Sequence, residues 1–258
     1  MDRIQRSLEV EIDFSNYTIQ KPSLRKMPAR VRQPEIMDQP ELQDSLHREA
    51  LDVLRLANSL SLTTRTLWRP IRKIAATIKD RPIRILDVAC GGGDVACRLA
   101  LTAKKRGIPA EVHGADISET ALQHSRDVAK PYGVAVEFFQ LDLVNDAMPD
   151  DFDVIVNTLF MHHLDEDDIV TLLAKMSAAT RQLVLVNDIL RSRFGYFLAY
   201  YVPRLISRSP VVHIDGPISI QAAFTVEEFR ALSDRAGLTQ AAFSNRWPER
   251  FLMEWRKP

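Results

Sequence analysis

Asp87 and Asp94 stand on either side of three consecutive glycines in "DVACGGGDVA", residues 87–96. A glycine turn between an apolar run and the start of a helix ordinarily holds phosphate on bare backbone N–H groups. Two carboxylates there would repel a pyrophosphate. They would welcome a cation, each charge-assisted hydrogen bond being worth roughly 1.5–3 kcal/mol. The glycines are useful either way, because a backbone without Cβ atoms lets a ligand approach closely. "GGGDVA", residues 91–96, also fits the G-x-G-x-x-A dinucleotide pattern, with Asp116 at about the spacing of an acid that grips ribose hydroxyls. An NAD(P)-dependent oxidoreductase is therefore a rival reading, and it requires Asp94 to point away from the turn. Cys90, inside the turn, has no base near it in sequence and reads as a small turn residue rather than a nucleophile.

The elements that must position these residues follow from periodicity. Residues 1–40 are mixed and proline-rich, which predicts an extended or poorly ordered lead-in. Apolar stripes then predict two helices, one through Leu46, Ala50, Val53, Leu54 and Ala57, the other through Leu67, Trp68, Ile71, Ile74 and Ile78. These form a helical cap, so residues 1–80 are read as extension plus cap and 81–258 as the main domain. From Pro82 strands and helices alternate: "IRILDVA", "AEVHGAD", "VAVEFF", "FDVIVNT" and "QLVLVND", then "TQAAFSN" and "RFLMEW". Ser118 caps one intervening helix, and Thr225 with Glu228 makes a capping box for another. The predicted fold is α/β: a Rossmann-like, seven-stranded, mostly parallel sheet with helices on both faces, plus the N-terminal cap. Ligands of such sheets lie beyond the carboxyl ends of the strands. Asp87, Asp116, Asp142, Asn157 and Asp188 all fall there.

"LDVACGGGD" resembles the first motif of the class I S-adenosylmethionine-dependent methyltransferases, and is especially similar to that of the ubiquinone and menaquinone biosynthesis enzymes. "GADISETAL" resembles their second motif, "LDL" at 141–143 their adenine-side acid, and "NTLFMHHL" the end of their fourth strand. The likeness covers about residues 82–188, and "FTVEEFRALSDRAGL" matches their penultimate helix. Ala89 departs from the pattern, standing where the first glycine is expected. The resemblance implies S-adenosyl-L-methionine as cofactor, whose ammonium and sulfonium suit the acids. It implies that Asp87, Ala89, Cys90, Gly91, Gly93 and Asp94 surround the methionine end. Asp116 and Ile117 would then take the ribose and adenine, Asp142 and Leu143 the adenine edge, and Asn157 the floor. The implied acceptor is a small molecule of phenolic, quinone-like or polyketide type, methylated on oxygen or carbon.

An oxygen nucleophile needs a base, whereas an enolic carbon needs little more than orientation. His162, His163, Asp188 and His213 are the candidate catalytic residues. Adjacent histidines do not easily face one pocket together, so one is expected inside and the other bonded to backbone. No metal site is expected, because neighbouring histidines lack the i, i+4 spacing of a helical zinc pair. Residues 189–224 are long for a connection. Their centre, 194–206, carries Phe194, Phe197, Tyr200 and Tyr201 between arginines. It is read either as a buried helix of the cap, as a dimer contact, or as a lid over an aromatic or lipid-tailed acceptor, with His213 and Asp215 reaching in.

Composition narrows the partners. Lys plus Arg and Asp plus Glu are both 34, giving zero formal net charge. That removes a global attraction to nucleic acid, and "NTLF" stands where an adenine methyltransferase would carry Asn/Asp-Pro-Pro-aromatic. A nucleic-acid methyltransferase of the same fold is thus the weaker rival. Two cysteines and the absence of an apolar leader predict a reduced, cytoplasmic protein without a membrane span, for which peripheral membrane contact or a homodimer stays open.

Overall fold

A computed structural model describes residue 19 and residues 29–39 and 42–258. The remainder of the 1–40 lead-in lies outside the described residues. The strands are β1 (Ile83–Val88), β2 (Ala110–Asp116), β3 (Val136–Gln140), β4 (Phe152–Thr158), β5 (Thr180–Ile189), β6 (Ala242–Arg246) and β7 (Arg250–Arg256). They form one sheet in the order β3-β2-β1-β4-β5-β7-β6. Strands β1 to β5 pair in parallel, and β7 runs antiparallel to both β5 and β6. The seven-stranded, mostly parallel α/β expectation holds, with β7 as the one antiparallel strand among the described residues. The central strands β1 and β4 are buried almost throughout because both faces of the sheet are covered by helices.

The helices are α1 (Asp44–Leu60), α2 (Thr63–Ala75), α3 (Asp94–Lys105), α4 (Glu119–Tyr132), α5 (Glu166–Ala179), α6 (Arg193–Ile206), α7 (Pro210–Ala222) and α8 (Val226–Arg235). Local chemistry fixes their ends as the sequence predicts. The Ser118 hydroxyl accepts from the Ala121 N–H, and Thr225 and Glu228 form the complete capping box. One face of the sheet packs against α5 and α8, the other against α2, α3 and α4.

Two expectations need correction. Helix α2 is no detached cap: Leu67, Trp68, Ile71 and Ile74 are buried in the same cluster as Ile83, Ile85 and Leu99. Residue 80 is therefore not a packing boundary, since the apolar face of α2 is what covers that side of the sheet. Residues 189–224 form a helical pair, and α6 is not a buried helix. Only Gly195 and Tyr196 are buried on it, while Phe194, Phe197, Tyr201 and Leu205 are exposed. The reason is the narrow seam with α7, where a Cβ on Gly216 would stand 3.1 Å from the Ala199 carbonyl oxygen. Small residues make the contact, and the aromatic side faces outward.

Candidate active site

The glycine turn leaves β1 through three left-handed residues: Ala89 at φ 51°, Gly91 at 51° and Gly93 at 69°. Alanine tolerates that region at a cost of roughly 1–2 kcal/mol, which is the physical content of its departure from the glycine pattern. At Gly93 nothing larger fits, because a Cβ would meet Ser125 and Phe138 at 2.7–2.8 Å. The turn is tied down from two sides. The Gly91 N–H donates to Asp116 Oδ2 at 2.8 Å, and the Ser125 hydroxyl donates to the Gly91 carbonyl at 2.8 Å. Leu51 of α1 lies against Gly91 and Gly92, so the first helix roofs the turn.

Asp87 ends β1 with 1% exposure, and neither carboxylate oxygen has a hydrogen-bond partner. Burial, then the charges of Asp94 and Asp116, push it well above the usual carboxylate range. Asp94 opens α3 beside it. Its Oδ1 accepts from Asn58 Nδ2 at 3.3 Å and its Oδ2, without a hydrogen bond, lies 3.9 Å from Arg98 Nε, and burial raises it to about 6 against the pull of Asn58 and Arg98. Asn157, level with Val88 across the sheet, donates to the Val88 carbonyl at 2.9 Å while its own Oδ1 is buried and unpartnered. Unpaired buried acceptors are costly unless a donor meets them. This floor is built for a ligand bearing N–H groups or positive charge. A pyrophosphate would face the buried, unpaired carboxyl of Asp87, whereas Asp94 is engaged by Asn58 and Arg98.

Other expected cofactor residues divide. Asp116 accepts from both the Gly91 and Ser118 N–H groups, which locks β2 to the glycine turn. Ile117 follows it, 60% exposed. Asp142 is committed to its own turn, accepting from the Val144 and Asn145 N–H groups and from Asn145 Nδ2. Those bonds hold it below the usual carboxylate range. Leu143 is buried and joins Phe160, Leu164 and Leu172 around an apolar recess. Cys90 is buried, and burial with Asp87 pushes its thiol well up, so it is no thiolate at neutral pH.

Beyond β4 and β5 lies a second polar cluster. His162 and His163 sit on a 3-10 turn, Met161–His163. His162 is 3% exposed, and its Nδ1 lies 2.8 Å from Asp188 Oδ1. Burial works to raise Asp188, but His162 and the Ile189 N–H hold it below its usual value. His163 places Nδ1 2.7 Å from Asp38 Oδ2. Both rings are thus held by carboxylates, which corrects the expectation that one would bond backbone. Burial would lower His163, yet Glu35 and Asp38 push it up to about 10.

Glu35 was not legible as a site residue. It lies on residues 30–38, a strap that crosses the sheet's carboxyl edge. Arg30 donates to the carbonyls of His162, Leu164 and Ala222, and Arg32 to Asp165 and the His163 carbonyl. On the far side Asp215 accepts from the Ile36 and Met37 N–H groups, and Ser219 donates to Glu35 Oε1 at 2.6 Å. Glu35 is 4% exposed, with Oε1 3.8 Å from His162 Nε2 and Oε2 3.9 Å from His163 Nε2. His162 and His163 alone lack the spacing of a helical zinc pair, but the fold adds Glu35 from a distant segment as a third potential ligand. His213 is not brought here, because its Nε2 bonds the Ser207 carbonyl in the α6–α7 connection. Arg250, also missed, is buried below both acidic groups. It donates to Asn58, Thr63 and, weakly, Asn187, and burial lowers it to about 10 against the pull of Asp188 and Asp94.

The chain is similar to known proteins in sequence and in fold. A family model described as a methyltransferase domain matches residues 85–182. The demethylmenaquinone methyltransferase of Thermus thermophilus is 30% identical over 183 residues, covering 67% of this chain and 81% of that protein. The plantazolicin methyltransferase BpumL, solved with SAH, shares the fold at TM-score 0.58 and 17% identity, over 85% of this chain and 91% of that one. An O-methyltransferase family 2 protein from Planctomyces limnophilus, solved with apigenin, does so at TM-score 0.54 and 18% identity. That match covers 82% of this chain but only 62% of the Planctomyces chain.

Proposed function

This chain belongs to the class I S-adenosylmethionine-dependent methyltransferases, and we propose that it methylates a hydroxyl oxygen on a small aromatic acceptor of phenolic, quinone-like or polyketide type. Its cofactor is S-adenosyl-L-methionine, which supplies an electrophilic methyl group on a sulfonium. The acids fit it: the unpaired, buried oxygens of Asp87 suit an ammonium, and Asp94 adds negative charge toward the same cation. Gly91 and Gly93 would let the methionine part approach, Asp116 and Ile117 would meet the ribose and adenine, and Asn157 would lie beneath. The recess at Leu143 offers the adenine an apolar wall. Asp142, occupied by its own turn, would contribute there through backbone position rather than a free carboxylate.

The observation that carries the choice of oxygen is the pair of carboxylate-held histidines at the end of β4. A hydroxyl must lose its proton as the O–CH3 bond forms and the S–CH3 bond breaks, and a carbon acceptor would need no such cluster. Asp188 fixes the His162 ring so that Nε2 faces the space shared with Glu35 and His163. Helices α6 and α7 are the lid of this reading. They cover the acceptor side, and α7 carries the Asp215 and Ser219 that seat the strap.

The test is methyl transfer from labelled cofactor to a panel of phenols, catechols and demethylated quinones, with product mass and position read out. O-methylation of at least one class, abolished by His162→Ala with cofactor affinity retained, is the expected result. Methylation only at carbon, undiminished in His162→Ala, would overturn it.

A further inference from the structure

We propose that Glu35, His162 and His163 form a binding site for one divalent transition-metal ion. This inference rests on the reading of the same cluster as the acceptor-activating end of the site. Its carrying observation is a spacing. The Nε2 atoms of His162 and His163 lie 3.8 and 3.9 Å from the two Glu35 oxygens, too far for hydrogen bonds. Ligands that share an ion, each bonded at about 2.0–2.2 Å, stand at such separations. One donor atom from each of the three residues lies within 4.8 Å of the other two.

The surroundings match what a metal-binding histidine requires. Such a ring gives its second nitrogen to a carboxylate or carbonyl, which fixes its tautomer and turns the ligating nitrogen inward. Here both rings do so, His162 to Asp188 at 2.8 Å and His163 to Asp38 at 2.7 Å. The ligating carboxylate is itself supported, since Ser219 donates to Glu35 Oε1 at 2.6 Å. The buried carboxylates of Glu35, Asp188 and Asp215, with the exposed Asp38, lie around the two imidazoles, an acidic setting that suits a bound cation. Two imidazoles and one carboxylate leave coordination positions open and suit zinc or ferrous iron over magnesium. An acceptor hydroxyl bound at an open position would release its proton more readily, which is the role assigned to this cluster above.

The experiment uses the full chain freed of metal by chelation, titrated with Zn2+ by calorimetry and with Co2+ by visible absorption, without acceptor. One ion per chain is expected, with a cobalt spectrum of nitrogen and oxygen ligation. Glu35→Gln and His163→Gln should each weaken binding by about 100-fold or more, and Asp38→Asn by about 10–100-fold. S-adenosylmethionine affinity, unchanged in all three, shows that each variant is folded. No binding by the parent chain, or equal binding by the parent and both ligand variants, overturns the proposal. Metal binding without methylation of any phenol would leave the site standing and sink the acceptor reading. Full O-methylation by chelated, metal-free protein would overturn the ion's part in activating the acceptor hydroxyl.

Discussion

His162 and Asp188 are joined twice: ring Nδ1 to Oδ1 at 2.8 Å, and backbone N–H to Oδ2 at 3.3 Å. One carboxylate at the end of β5 therefore sets both the turn that carries His162 and the orientation of its ring. Asp188 is a positioning residue, since it acts through the imidazole. Asp188→Asn should lower kcat by about 10–100-fold while leaving the cofactor dissociation constant and acceptor KM close to those of the parent. Loss confined to KM would show that Asp188 only shapes the acceptor pocket.

Donor affinity should fall with acidity in a defined window. Asp94, raised to about 6 by burial, gives up its charge as pH drops through that value, and burial raises Asp87 in the same direction. Without ligand the sign reverses. The folded chain takes up a proton at Asp94 as pH falls through about 6, whereas the unfolded chain does so only near the ordinary 3.8. Stability from this group thus rises as pH falls from 6 towards 4 and is lost again as pH climbs back through 6. Calorimetry with S-adenosylmethionine between about pH 5 and 8, beside chemical unfolding over the same range, checks both slopes. Asp94→Asn should flatten each of them near pH 6.

Ala89→Gly should stabilise the chain by about 1 kcal/mol, because it relieves a left-handed alanine at φ 51°. Urea denaturation with an unchanged m-value is the measurement. A loss of stability would mean that the methyl makes packing contacts worth more than the backbone strain.

Arg250→Met should cost about 3–5 kcal/mol, the usual penalty for stripping one partner from a buried charged network. Arg250 donates to Asn58 and Thr63 and is attracted by both Asp94 and Asp188. Thermal unfolding reads the loss. Saturating cofactor should recover part of it, because the ligand's positive charge offsets the same acids.

The sheet and the glycine turn were readable because their signals are local: apolar runs, a cap at Ser118, acids at strand ends. Residues 30–38 were not. Their proline and charges look like a linker, and their conformation comes from Arg30, Arg32 and the distant Asp215, none of which spacing could connect. Arg250 hid in an ordinary strand pattern, as its partners come from α1, α2 and β5. The helix α6 misled in the opposite way. Its aromatic density suggested burial, but Gly216 packs against Ala199 at the seam and Phe194, Phe197 and Tyr201 stay exposed.

Glu35 reaches the histidines from a stretch that leaves the donor cradle untouched, so grip and turnover are carried by separable lengths of polypeptide. A protease cut between Asp38 and Gln39 would release Glu35 with the strap, leaving a molecule that still sequesters the methyl donor yet no longer completes the chamber proposed to accept that methyl. Trimming at one end would convert a catalyst into a sponge for its own cosubstrate.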